Sequence, residues 1–168
     1  MHAEAFAYVA RWATEEAVSV VEIGARHTWG PRLRPLFPNA TYVGIDPVAG
    51  DDVDVVANGA TWQPDKPVDV VICAEVFEHT PRWEDIVVNA AAMLKPGGRV
   101  IFTCAGPGRA VHGVNDDDPD RPGWYANVHF SDLVAAMRPH LAEVHAAEVP
   151  HQSTHLGGTD TQATGVRR

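Results

Sequence analysis

With 168 residues the chain is long enough for one hydrophobic core and too short for two ordinary domains, so a single domain over residues 1–168 is expected. Its 22 acidic residues outnumber 13 basic ones, and a net charge of −9 argues against a broad electrostatic footprint for duplex nucleic acid, leaving a small polar substrate as the better partner. No apolar run approaches the roughly 20 residues that cross a bilayer, no basic stretch leads an apolar one near the N-terminus, and Cys73 and Cys104 both sit inside apolar runs; the expectation is a cytoplasmic protein with buried free thiols and no membrane partner, its oligomeric state open and a homodimer among the options.

Phe6, Val9, Ala10, Ala13 and Ala17 recur at helical spacing and predict an amphipathic helix within residues 1–18. Ser19–Ile23 reads as a first strand closed by Gly24, and Pro31 suits the first turn of a following helix that Pro35 and Pro38 keep short. Thr41–Asp46 is a second strand, Val53–Ala57 a short third and Val68–Cys73 an apolar fourth. Thr80 followed by Pro81 is a helix-start signal, and Trp83, Ile86, Val87, Ala90 and Leu94 carry an apolar stripe as far as Lys95-Pro96-Gly97-Gly98, which ends it. Arg99–Cys104 is a fifth strand, Ser131–Met137 another helix, and Leu141–Val149 and Thr159–Val166 two last strands with no helical pattern between them. Such alternation predicts an α/β fold, doubly wound, with a mostly parallel sheet of about seven strands and an antiparallel edge.

The stretch 105–130 is long enough to be a functional loop or lid. Its acidic run Val114-Asn115-Asp116-Asp117-Asp118-Pro119-Asp120 lacks the spacing of a calcium loop and reads better as a solvated turn. Trp124 and Tyr125 would either stack on a ring-shaped substrate or belong to the core.

Gly24 ends the first strand and Asp46 the second, a spacing that suits a nucleoside: the carboxylate can accept from both ribose hydroxyls, and the glycine lets a ligand pass close to the backbone. A dinucleotide would call for G-x-G-x-x-G, which Gly24-Ala25-Arg26-His27-Thr28-Trp29-Gly30 lacks, so NAD(P) stands as a rival. Beyond the fourth strand, Glu75, Glu78 and His79 would share one face if the chain turns helically, bringing two carboxylates and an imidazole together.

Taken in order, Val21-Glu22-Ile23-Gly24, Gly44-Ile45-Asp46-Pro47, the segment Val68 to His79 and Leu94-Lys95-Pro96-Gly97-Gly98-Arg99-Val100 resemble the class I S-adenosylmethionine-dependent methyltransferases across nearly the whole chain. The resemblance implies a Rossmann-like fold and an enzyme using S-adenosyl-L-methionine. It further implies that Glu22 and Gly24 shape the methionine pocket, Asp46 holds the ribose, Asn58 with Gly59 lies beside the adenine and Ala74 lines the side of methyl transfer, with Ala25 and Pro47 in the same cofactor-binding set. Asn58 stands where the family often has Asp, and its amide oxygen can still accept from the adenine amine. The family's glycine-rich loop is reduced to Gly24 and Gly30; Arg26 within it either pairs with the cofactor's carboxylate or is a solvated loop residue.

Glu75-x-x-Glu78-His79 resembles the metal-binding element of the small-RNA 3′-terminal 2′-O-methyltransferases and the quinone-biosynthesis O-methyltransferases. That implies a divalent ion, Mg²⁺, Mn²⁺ or Zn²⁺, held by Glu75, Glu78, His79 and a later histidine, with His129 the first choice and His112 the second. Such an ion would lower the pKa of a substrate hydroxyl. Without it, His79 and Glu78 would be the catalytic residues, the imidazole acting as base near its ordinary pKa of about 6.5, and a purely structural role for His79 is the third option. The expected reaction is O-methylation of a small molecule or sugar hydroxyl, with metal assistance left open; an RNA 2′-O-methyltransferase and a catalytically inactive S-adenosylmethionine-binding protein are the alternatives.

Overall fold

The computed structural model describes residues 2–112, 124–152 and 157–168, within which seven strands build one sheet and three α-helices cover it. Helix α1, Ala3–Ala10, is shorter than its periodicity predicts, because after Trp12 the chain leaves the helix axis and Thr14 N–H donates to the Leu36 carbonyl. Strand β1 is Ser19–Ile23 and β2 Thr41–Asp46. Between them the expected helix is replaced by a single 3-10 turn, Arg34–Leu36, as Pro31, Pro35 and Pro38 remove the amide donors a longer helix needs.

Strand β3 is only Val55–Val56, since Val53 is tied into a turn with Gly50. Strand β4 is Val68–Ala74, α2 Trp83–Met93 and β5 Leu94–Ala105. β5 starts at Leu94 rather than Arg99: Leu94 already pairs with Val68, and the register shift before Val70 absorbs the Pro96-Gly97-Gly98 segment. Helix α3 is Phe130–Met137, followed by β6, Leu141–Pro150, and β7, Thr159–Arg167.

The order β3-β2-β1-β4-β5-β7-β6, with β7 antiparallel to both neighbours, gives the Rossmann-like parallel sheet with an antiparallel edge. Adjacent residues go to opposite sides: Val21, Val71 and Val100 meet α2 and α3 through Val87, Ala90, Leu133 and Met137, while Val20, Ile72 and Ile101 meet Val9 of α1 with Leu33 and Phe37. Covering both faces turns the central strands into continuous apolar runs, each buried aliphatic side chain contributing about 1.5–3 kcal/mol. Cys73 and Cys104 are buried free thiols, their pKa pushed up chiefly by that burial.

This order has one functional consequence. The chain runs from β1 outward to β2 and β3, then returns to β4 on the other side of β1, so a crevice opens at the carboxyl ends of β1 and β4. Ile23 is level with both Ile45 and Cys73, which brings Gly24, Asp46 and Ala74 to one height at its rim.

Candidate active site

A cleft of about 810 Å³ fills that crevice, and Glu22, Gly24, Ala25, Arg26, Asp46, Pro47, Asn58, Gly59 and Ala74 all line it. Gly24 has φ +79°, and a Cβ there would stand 2.2 Å from Val76 Cγ2, so both its conformation and its neighbour require glycine. At Gly59 a Cβ would meet Ile23 Cγ2 at 2.4 Å.

Asp46 is buried and its Oδ1 accepts from Val48 N–H at 2.8 Å, which fixes the carboxylate at the strand end. The Asn58 amide oxygen already accepts from Ala60 N–H at 2.9 Å, so one lone pair is spent on the turn. Asn89 on α2 holds that turn from behind, donating to the Gly59 and Trp62 carbonyls. Glu22 accepts from the Tyr42 hydroxyl at 2.6 Å; burial, the largest influence, raises its pKa to about 7 against the lowering effect of that bond.

At the other end of the cleft the expected shared helical face of Glu75, Glu78 and His79 is not formed. Glu75 sits in the left-handed region at φ +58°, its N–H donating to the Thr103 carbonyl, and only Phe77–His79 makes a 3-10 turn. Glu75 and His79 line the cleft, whereas Glu78 is fully buried behind it and accepts from Ala105 N–H at 3.2 Å. Glu78 is therefore placed as an anchor of the β5 end rather than as a group touching an acceptor. Burial drives its pKa well up, reinforced by Glu75; burial also raises that of Glu75, with Asp160 adding and Arg109 opposing.

His129 does not join them. It precedes α3, with its side chain 59% exposed and its Nδ1 3.5 Å from Glu148, because buried Val128 points inward and turns its successor to solvent. His112, the second choice, is the one that arrives, lining the cleft with its ring 5.5 Å from that of His79.

For a metal ion the expected four donors thus do not converge. Among the described residues, donor atoms of Glu78, His79 and His112 come within 4.8 Å of one another, and one Glu78 oxygen is buried without a partner. Yet both His112 nitrogens are engaged: Nε2 lies 3.3 Å from Arg109 Nη2, and Nδ1 2.9 Å from the Ala110 carbonyl.

Arg109 belongs to a polar cluster that the sequence does not reveal. Its guanidinium pairs with Asp160 on β7, Asp160 also receives His151 Nδ1 at 3.0 Å, and Arg109 Nη2 lies 3.7 Å from Glu75. His2 completes the wall, its ring 4.7 Å from Trp29 and 5.7 Å from His112. Burial lowers the pKa of His2 to about 4 and also lowers that of His112, so both imidazoles are neutral at pH 7. Trp124 lines the cleft mouth, and the Tyr125 hydroxyl lies 3.0 Å from His112 Nδ1; the acidic run 114–120 falls outside the described residues.

Comparison with known proteins adds three findings. A family model described as a methyltransferase domain matches residues 1–151. The ubiquinone biosynthesis O-methyltransferase of Proteus mirabilis is 44% identical over 50 residues, 30% of this chain and 20% of that relative, so the match spans a small part of the relative's own length. Among solved structures, the N-methyltransferase NodS of Bradyrhizobium japonicum, with S-adenosyl-L-homocysteine, superposes with a TM-score of 0.67 at 18% identity, covering 98% of this chain and 86% of that one. The 1,6-didemethyltoxoflavin-N1-methyltransferase of Burkholderia thailandensis does so with a TM-score of 0.71 at 16% identity, covering 98% and 77%. Family model and fold agree with the resemblance carried by the strand-end residues: the chain belongs to the methyltransferase-domain family.

Proposed function

We propose that the chain transfers a methyl group from S-adenosylmethionine to a hydroxyl of a small molecule, with His79 as the base. The observation that carries this reading is that one cleft is lined both by Gly24, Asp46 and Asn58 and by His79. Asp46 would hold the ribose hydroxyls, Asn58 and Gly59 the adenine, and Glu22 the ammonium of the methionine tail. When bound, the cofactor supplies an electrophilic methyl group on sulfur whose departure needs no acid. The protein's share is then alignment and removal of one proton. His79 stands beside Thr80 and Pro81 at the acceptor end, next to imidazoles that are neutral and so do not repel a sulfonium. An oxygen acceptor is supported by the O-methyltransferase stretch in Proteus mirabilis, and a sugar hydroxyl or an RNA terminus are narrower versions of the same chemistry.

Methyl transfer from labelled cofactor to paired hydroxyl and amine acceptors tests the reading. Hydroxyl acceptors should turn over, and His79→Ala should lower kcat by about 10²–10⁴ while leaving cofactor affinity unchanged. Turnover of amines alone, or an unaffected variant, would refute it. Metal assistance is a second reading, favoured by the proximity of Glu78, His79 and His112. Protein that turns over fully in chelator and contains no stoichiometric metal would end it.

A further inference from the structure

The crossover from β1 to β2 lacks what a nucleotide-binding turn of this kind normally offers an anion. Between Gly24 and β2 the chain forms only the 3-10 turn Arg34–Leu36, so this crossover offers no α-helix N-terminus to receive a negative charge. Three of the loop's backbone donors are also committed: Gly24 and Ala25 N–H both go to the Ile45 carbonyl, at 2.8 and 3.0 Å, and His27 N–H goes to the Asp51 carbonyl at 3.0 Å. A cofactor carrying a carboxylate would therefore not find these three backbone donors available.

Among the described residues two arginines, Arg26 and Arg32, line the cleft, and they differ in one respect. Arg32 is bound by Asp51 at 3.1 Å and Asp52 at 2.7 Å. Arg26 takes part in none of the ion pairs among the described residues, and its Nε is buried without a hydrogen-bond partner. Its stem passes close to Gly50, where a Cβ would lie 2.7 Å from Arg26 Cγ. A guanidinium costs free energy when a buried N–H goes unpaired, and its planar fork matches a carboxylate in two parallel bonds.

We infer that Arg26 is the anchor for the carboxylate of the cofactor's methionine tail, replacing the backbone anion site that the missing helix would have provided. The inference rests on the cofactor reading above and deepens it by assigning the tail. Together with Glu22, which faces the same cleft, it makes this end of the site a reader of a zwitterion rather than of a neutral nucleoside.

Two ligands separate the tail from the nucleoside: S-adenosylhomocysteine and 5′-methylthioadenosine, the latter an adenosine thioether with no amino-acid group. Calorimetric titration of the wild type, Arg26→Gln, Arg26→Lys and Gly50→Ala is the test, with a thermal melt confirming that each variant is folded. Arg26→Gln should weaken S-adenosylhomocysteine by about tenfold or more and leave 5′-methylthioadenosine within about twofold of the wild type. Arg26→Lys should recover part of the loss, as a charge without the fork. Gly50→Ala, which displaces the arginine stem without touching its charge, should weaken the same ligand alone. Equal effects on both ligands, or no effect on either, would overturn the Arg26 assignment while the cofactor reading stands. Failure of the wild type to bind either ligand would remove the cofactor reading itself, and this role with it.

Discussion

Arg109 and Asp160 form an ion pair in which both side chains are fully buried, fastening the loop after β5 to the start of β7 directly behind Glu75 and His112. Removing one member leaves the other buried without its principal counter-charge, Asp160 with only His151 and Arg109 with only Glu75 at 3.7 Å and the His112 ring nearby. Arg109→Met or Asp160→Leu alone should cost about 3–5 kcal/mol, and the double variant should cost less than either single one. Urea denaturation of the three variants measures this coupling; strictly additive losses would show that the pair does not act as a unit.

Glu22 makes stability depend on pH in an unusual direction. Its folded pKa of about 7 lies above the ordinary value of 4.5, so between these values the folded chain retains a proton that the unfolded chain has released. Stability therefore falls as pH rises through about 4.5 to 7. Glu22→Gln keeps an acceptor for the Tyr42 hydroxyl and cannot ionise. It should match the wild type near pH 4 and exceed it by up to about 3 kcal/mol at pH 8, as read from denaturation curves at the two values. A constant difference across that range would assign the shift to another group.

Two glycines with nearly equal φ separate backbone strain from crowding. At Gly97, φ +80°, an added Cβ meets nothing within 4 Å, whereas at Gly24, φ +79°, it strikes Val76. Gly97→Ala should cost about 1–2 kcal/mol, the left-handed penalty alone. Gly24→Ala should add a further loss of about 1–3 kcal/mol for overpacking, with weakened S-adenosylhomocysteine binding as well. Equal melting shifts for the two variants would mean that Val76 yields freely.

How much of this was legible in the sequence follows from what each signal measures. The strand-end positions, Gly24, Asp46 and Ala74, could be read because an apolar run and its terminating residue are local, and the parallel order then sets them level. The crossover helix does not form: Pro31 as a start signal carries no information about the donors lost at Pro35 and Pro38. The helical face for Glu75, Glu78 and His79 failed for a backbone reason, the left-handed φ of Glu75, which no spacing rule exposes. Arg109, Asp160 and His2 lie far apart in the chain, with His151 nine residues from Asp160, and β7, Thr-Asp-Thr-Gln-Ala-Thr-Gly at its start, has no alternation to show that Asp160 faces inward. His112 carries only a weak signal in the sequence, as a histidine soon after β5, and His129 follows Val128, which takes the inward position.

The most direct measurement is a calorimetric titration of S-adenosylhomocysteine into the wild type and into Asp46→Ala. The account predicts saturable binding at one site per chain, weakened by about 10- to 100-fold when the carboxylate that would hold the ribose is removed. A wild type that takes up no ligand, or an Asp46→Ala variant that binds as tightly as its parent, would contradict it.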